Sequence, residues 1–443
     1  SGISEGSHTL YVQERDAAGN WSSSGSRAIV IDTTAPTAPS VSGTTPTNDT
    51  TPTWSWSAGG GGNGTYRYKL DNSDLTSGAT ETTSTSYTPG SGISEASHTL
   101  YVQERDAAGN WSSSGSRTIV IDTTAPAITG TTVASNNASI AVTFSEAVYN
   151  TSGGSGALEA SDFTLTLSGG TATLSSATPS SISSSSNTYT LGLSLSGTPN
   201  GSETITVVPS SSTAIYDAAG NAASTSQSNN TVTLNDTTAP AITGTTVASN
   251  NESIAVTFSE AVYNTSGGSG ALEASDFTLT LSGGTATLSS ATPSSISSSS
   301  NTYTLGLSLS GTPNGSETIT VVPSSSTAIY DAAGNAASTS QSNNTVTLND
   351  KTAPTLSSVS IASNNSTSTL AAVGNNVTLT FTASETISTP VVTFVSGGAA
   401  ITDTSVTYVN TSGNTWTAVY TTESNDTTGS VTYSIAFSDS AGN

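Results

Sequence analysis

Apolar residues recur at every second position along short stretches of this chain. In Ser139-Ile-Ala-Val-Thr-Phe144 the apolar positions Ile140, Val142 and Phe144 fall on one face. Phe163, Leu165 and Leu167 do the same, as do Tyr189, Leu191, Leu193 and Leu195, then Val232 and Leu234. A period of two marks half-buried strands, because successive side chains leave the backbone on opposite faces. The habit continues with Val377, Leu379 and Phe381 and with Tyr433, Ile435 and Phe437. No stretch combines helical periodicity with good caps, and Gly, Asn and Ser punctuate the runs. Short strands at regular spacing predict an all-β chain of antiparallel β-sandwiches, whose strands are lettered A to G.

Self-comparison sets the boundaries. Residues 1–36 recur at 91–126 with two changes, Gly6 to Ala96 and Ala28 to Thr118, a period of 90. Residues 123–236 recur at 237–350 with one change, Ala138 to Glu252, a period of 114. Each unit opens on the same punctuation: Asp32-Thr-Thr-Ala-Pro36, Asp122-Thr-Thr-Ala-Pro126, Asp236-Thr-Thr-Ala-Pro240 and Asp350-Lys-Thr-Ala-Pro354. Proline lacks a donor and biases its predecessor toward extended geometry, so the motif reads as a short, stiff joint. The expected domains are the C-terminal part of a repeat at 1–32, a 90-residue repeat at 33–122, two 114-residue repeats at 123–236 and 237–350, and a divergent repeat at 351–443 truncated before its last strand. On this reading the chain is an internal window of a longer polypeptide.

Two motifs carry a resemblance. A long strand ending in Asp106-Ala-Ala-Gly-Asn110, followed by a strand ending in Asp-Thr-Thr-Ala-Pro, resembles the bacterial immunoglobulin-like repeats of giant secreted adhesins. Val142-Thr-Phe-Ser-Glu-Ala-Val148 with Tyr216-Asp-Ala-Ala-Gly-Asn221 is similar to the related repeats of surface-layer and gliding-motility proteins. The resemblance covers essentially the whole chain. It implies a tandem array of immunoglobulin-like antiparallel β-sandwiches serving as stalk, spacer or polymer subunit; a fold alone assigns no activity.

Composition narrows the function classes. With 7 Lys and Arg against 30 Asp and Glu, the net charge is −23, yet only 8% of residues are charged. Such a field repels phosphate backbones and anionic membranes, so nucleic acid is not an expected partner. No apolar run approaches the roughly 20 residues that span a bilayer, so no membrane insertion is expected. Cysteine is absent, which removes disulfides and thiolate metal sites. A secreted chain without cysteine must be held by packing, hydrogen bonds or hard cations, and the resemblance implies an extracellular place, at a bacterial cell surface.

His8 and His98, copies of one position in Ser-Glu-x-Ser-His, are the only histidines. They read as solvated residues at a strand start, and because an active site duplicated in one repeat type with no cleft loops is improbable, the chain is not expected to be an enzyme. Trp54 and Trp56 alternate with Ser, and Tyr66 and Tyr68 with Arg67 and Lys69. An exposed aromatic row would stack on sugars, but in a sandwich a tryptophan on an early strand belongs in the core.

Asp-Ala-Ala-Gly-Asn suits a plain turn, since Gly supplies positive φ and Asp and Asn bond their own backbone. Topology adds more. In a seven-strand sandwich the F–G turn and the B–C loop lie at the pole where the chain enters, beside the Asp of the preceding joint. The predicted sets are Asp122, Glu146, Asp217 and Asn221; Asp236, Glu260, Asp331 and Asn335; and Asp350, Glu385, Asp439 and Asn443. The 33–122 repeat offers Asp32, Asp106 and Asn110, with no acid in its B–C loop Ser57-Ala-Gly-Gly-Gly-Gly-Asn63. Carboxylates converging with no Lys or Arg between 123 and 350 need a cation, and oxygen ligands in an extracellular setting select Ca2+.

The expected function is a stalk of a large extracellular adhesin, rigidified by calcium at inter-domain joints, whose partners are neighbouring repeats of the same long chain. The alternatives are a subunit of an extracellular filament or sheath, joined to other copies, and a carbohydrate-binding module for host or surface glycans.

Overall fold

The structure is a computed structural model describing residues 2–443. It is all-β, with 3-10 turns at Ala160–Asp162 and Ala274–Asp276 and no α-helix among the described residues. The chain divides into two compact units, the first ending at Thr237 and the second beginning at Thr238.

In the first unit, β1 (Gly6–Val12) and β2 (Gly25–Ile31) form an antiparallel hairpin that pairs with no further strand among the described residues. A sandwich follows, built from β3 (Ser40–Ser42), β4 (Trp54–Ser57), β5 (Thr65–Leu70), β6 (Thr80–Thr82), β7 (Ser86–Tyr87), β8 (Ser97–Arg105) and β9 (Gly115–Val120). Its sheets run β3-β4-β7 and β6-β5-β8-β9. The next sandwich contains β10 (Ile128–Val133), β11 (Ser139–Phe144), β12 (Phe163–Ser168), β13 (Thr173–Leu174), β14 (Ile182–Ser185), β15 (Thr188–Gly192), β16 (Leu195–Ser196), β17 (Thr204–Pro209) and β18 (Thr231–Thr233). Its principal sheets are β10-β11-β15-β14 and β12-β17-β18, the A-B-E-D and C-F-G layers of an immunoglobulin-like sandwich, with β13-β16 as a small side ribbon.

The second unit repeats that plan. Ile242–Val247, Ser253–Phe258, Thr302–Gly306 and Ile296–Ser299 form one sheet in that order, and Phe277–Ser282, Thr318–Pro323 and Thr345–Thr347 the other. Beyond Asp350, Leu356–Ser363, Asn376–Ala383, Thr415–Thr421 and Thr407–Ser412 form a four-stranded sheet, with Ala399–Ala400, Val391–Ser396 and Val431–Ala436 as the second layer.

The period-two residues make the cores. Ile140, Val142 and Phe144 of β11 are buried against Phe163 and Leu165 of β12 and Ile205 and Val207 of β17. Phe144, Phe163 and Tyr189 close a triangle with ring centroids 5.9–6.4 Å apart, the tilted and edge-on spacing that quadrupoles favour. Trp54 and Trp56 are buried as well; the Trp54 Nε1–H donates to Arg117 O at 3.0 Å, and Trp56 packs edge-on to Tyr66. The aromatic row is core.

His98 departs from the solvated position expected of it. It is buried, with Nδ1 2.7 Å from Asp71 Oδ2 and Nε2 2.9 Å from Ser94 O. The reason is parity: residue 98 shares a face with Leu100 and Val102, so the alternation that buries them also turns the imidazole inward. The hydrogen bond to Asp71 raises its pKa against the opposing effect of burial, and the bond to Ser94 adds to the rise.

Candidate metal centres

In the repeat beginning at Asp122, three segments meet at one pole. Asp122 lies beyond β9, where its N–H donates to Thr47 O at 3.0 Å. Glu146 lies two residues past β11, on the B–C loop. Asp217 opens the turn after β17. The loop and the turn are tied together by Tyr149 and Tyr216, whose backbones exchange hydrogen bonds of 2.7 and 2.8 Å. One carboxylate oxygen from each of Asp122, Glu146 and Asp217 lies within 4.8 Å of the others.

Asn221 braces the cluster. Its N–H donates to Asp217 Oδ1 at 2.8 Å, while Nδ2 donates to Asp217 Oδ2 at 2.7 Å and to Asp122 O at 2.9 Å. The turn is thus pinned to the incoming joint by a backbone carbonyl. Asp217 is fully buried, and Asp122 and Glu146 are half-buried. Burial, then the charges of Asp217 and Asp122, raise the Glu146 pKa above the ordinary carboxylate range. No Lys or Arg occurs in this repeat to offset them.

The 351–443 sandwich builds the same centre from a divergent sequence. Asp350, Glu385 and Asp439 bring oxygens within 4.8 Å of one another. Ile387 bridges Asp439, the counterpart of the tyrosine bridge. Asn443 donates from Nδ2 to Asp439 Oδ2 at 2.9 Å and to Asp350 O at 3.1 Å. Glu385 is raised by burial and by Asp350 and Asp439. Asp439 is lowered, chiefly by the Asn443 side chain, whose hydrogen bond outweighs the effect of burial.

In the 237–350 repeat, Glu260 and Asp331 also approach within 4.8 Å, and Asn335 donates to both oxygens of Asp331 at 2.8 and 2.7 Å. Asp236, at the end of the preceding repeat, lies against Gly201, where a Cβ would sit 3.2 Å from its own. In the 33–122 repeat Asn110 links Asp106 Oδ2 and Asp32 O at 2.9 and 3.0 Å, but among the described residues no third acid joins them.

Two kinds of acidic residue escaped the sequence reading. Glu95 accepts from the Thr123 and Thr124 hydroxyls at 2.5 and 2.9 Å and from the Thr123 N–H at 3.2 Å, clasping the joint from the preceding repeat. Glu5 bonds Thr33 and Thr34 in the same way. The signal was present, since both glutamates recur in Ser-Glu-x-Ser-His. Glu104, Glu203 and Glu317 are buried carboxylates that hold glycine turns. Glu203 accepts the N–H groups of Thr171, Ala172 and Asn200 at 2.7, 2.9 and 2.9 Å. A Cβ at Gly170, where φ is +60°, would fall 2.0 Å from that carboxylate, so only glycine fits.

The donors at the joint centres are carboxylate oxygens, with no thiolate available, which suits a hard cation rather than a soft one. These acidic clusters have the geometry to hold a metal ion. A neighbouring contact adds to the enclosure: Asn48 of the 33–122 repeat donates its N–H to Ala219 O at 3.2 Å, within the Asp217–Asn221 turn.

No protein family matches the chain, and no curated protein matches it. Among solved structures, chitinase ChiA74 from Bacillus thuringiensis is similar at 19% identity over 46% of this chain, with a TM-score of 0.17; the chain spans 29% of that protein. The Bacteroides ovatus mixed-linkage glucan utilization locus SGBP-B, in complex with a mixed-linkage heptasaccharide, is similar at 14% identity over 69% of this chain and 77% of that one, with a TM-score of 0.14. Likenesses at these scores carry no argument about function. No helix among the described residues is long and apolar enough to cross a membrane.

Proposed function

We propose that this chain is a spacer segment of a large extracellular bacterial surface adhesin, made of immunoglobulin-like repeats whose joints are stiffened by calcium. The observation that carries the reading is the recurrence of one centre in two dissimilar repeats: Asp122, Glu146 and Asp217 in one, Asp350, Glu385 and Asp439 in the other. In each, the joint, the B–C loop and the F–G turn contribute one carboxylate. An ion held there ties the entering chain to two loops of the sandwich it enters. Three carboxylates with no basic side chain in the 123–236 repeat favour a divalent cation, and Ca2+ accepts the irregular oxygen shell that such loops offer. Carboxylates would be the ligands, and Asn221 and Asn443 would hold the turns in place. The buried positions of Trp54 and Trp56 weigh against the glycan-stacking alternative.

The test is calcium titration of the full chain by calorimetry, with small-angle scattering in calcium and in chelator, and protease shaving of intact producing cells. Saturable binding, a narrower distribution of shapes in calcium, and release of the repeats by shaving are expected. Absence of binding, or identical scattering in both conditions, would overturn the calcium reading; resistance to shaving that disappears on lysis would overturn the surface assignment.

A further inference from the structure

Basic residues are scarce in this chain and unevenly placed. Of its 7 Lys and Arg, Arg67, Lys69 and Arg105 fall on one sheet of the 33–122 sandwich. Parity puts them on its outer face: Tyr66, Val102 and Glu104 are buried, whereas Arg67, Gln103 and Arg105, one position on, are half-buried. The cross-strand register sets them side by side, with Arg67 opposite Gln103, Lys69 opposite Tyr101 and Thr65 opposite Arg105. The corresponding positions of the 123–236 repeat are threonines, Thr164 and Thr166 on β12 and Thr204 and Thr206 on β17.

Trp111 draws two of these charges together. The Arg67 guanidinium lies 4.3 Å from its ring centroid, and that of Arg105 lies 5.5 Å away. Arg67 Nε donates to Gln103 Oε1 at 2.8 Å, so its planar head is fixed by an amide rather than neutralised by a carboxylate. Arg105 Nε is buried with no hydrogen-bond partner. The one charge pair among the described residues is His98 with Asp71, so in a chain with 30 acids neither arginine meets a carboxylate within ion-pairing distance. Glu104 and Asp106, which flank Arg105, are buried, and Glu81, opposite Arg67 on β6, stays exposed and beyond that range. Two like charges held against one indole without a counter-ion form a site for an anion.

We propose that the face carrying Arg67, Arg105 and Trp111 binds an acidic polysaccharide, with the carboxylate of a uronic acid seated between the two guanidiniums. Charge complementarity names the occupant. Screening confines the field of the chain's acids to about 8–10 Å, so the local sign of this face decides, not the net charge of −23. A uronate polymer brings one charge per sugar, spaced widely enough to meet two arginines and little else. A nucleic acid duplex, with a charge about every 1.7 Å, would carry most of its charges onto an otherwise acidic chain. Planar guanidiniums also match the two oxygens of a carboxylate. Recognition of this kind is ionic and does not involve the buried Trp54 and Trp56. The inference goes beyond the spacer reading and uses no joint carboxylate.

The experiment titrates the full chain with an oligomannuronate by calorimetry, in chelator so that calcium cannot bridge sugar and protein. Saturable binding with a Kd below about 1 mM, weakening as salt is raised, is expected. A neutral manno-oligosaccharide of equal length should not bind. Arg67→Gln combined with Arg105→Gln should weaken binding at least about tenfold. Because those changes also remove the Trp111 stack, Gln103→Glu supplies a second variant: its carboxylate pairs with Arg67 in place and should abolish binding while slow amide exchange in β8 is retained. Absence of binding, or undiminished binding by either variant, would overturn the proposal. Equal binding of the neutral sugar would assign the face to uncharged glycans, and tighter binding of a single-stranded oligonucleotide would assign it to nucleic acid; either result overturns it as well.

Discussion

Replacing Glu146 by Gln should change the sign of its effect with calcium. Two unit charges about 4.8 Å apart at an effective dielectric near 20 repel by about 3.5 kcal/mol. Glu146 and Asp122 are only half-buried, so solvent and salt reduce the repulsion that Gln relieves to about 1–2 kcal/mol. In chelator, Glu146→Gln should therefore slow local opening of residues 141–150 about tenfold. With calcium at about a hundred times its Kd, the wild-type centre gains about 2.7 kcal/mol. The variant, short of one anionic ligand, should bind at least about tenfold more weakly and open faster than wild type. Hydrogen exchange reads both states in a longer peptide that includes residue 138, where Ala138 against Glu252 separates it from its otherwise identical twin. The pH response follows from the raised Glu146 pKa. In chelator its contribution is fully present below the unfolded pKa and is lost as pH rises through the folded value. A variant that opens faster than wild type in chelator, or one that calcium stabilises as much as wild type, would refute the reasoning.

Glu203→Gln should cost about 2–3 kcal/mol in denaturant melts of the 123–236 repeat, because an amide NH2 then faces backbone donors that the carboxylate had satisfied. Burial works to raise the Glu203 pKa, but the N–H donors of Ala172, Thr171 and Asn200 prevail and lower it; its stabilisation is present above the unfolded pKa and should disappear as pH falls through the folded one, opposite to Glu146. Trp54→Ala should cost about 3–5 kcal/mol and abolish slow exchange in β8, because the indole fills the centre of the 33–122 core. Ala138→Glu should move the melting transition by no more than about 0.5 kcal/mol, since the side chain of the exposed Glu252 in the natural copy accepts a bond from Asn250 nearby.

The joint centres were legible because sandwich topology constrains which loops share a pole. Once β11 and β17 are recognised as strands B and F, Glu146 and Asp217 must emerge beside Asp122, however far apart they lie in sequence. The buried glutamates were not legible. Glu203 holds the N–H groups of Thr171 and Ala172 from more than thirty residues away, and no spacing rule connects a strand-start acid to a distant glycine turn. His98 was legible in principle, through its parity with Leu100 and Val102, but its polarity argued for the surface; the Asp71 partner that makes burial tolerable belongs to another strand connection.

The amino-acid sequence by itself determined the strands and most of their inward faces, because alternation and turn chemistry act between residues close along the chain. Tertiary structure alone decided which distant segments meet across the inward faces. Residues 6–31 and 97–120 contain nearly the same sequence and form nearly the same hairpin, yet Leu10 is exposed and Leu100 is buried. Hydrogen bonds within a hairpin are satisfied locally, whereas burial depends on what lies opposite, and that is supplied by strands dozens of residues away. The same holds for the carboxylates of the joints: each is a single acid in its own loop, and becomes part of a candidate metal centre only where three separate segments converge.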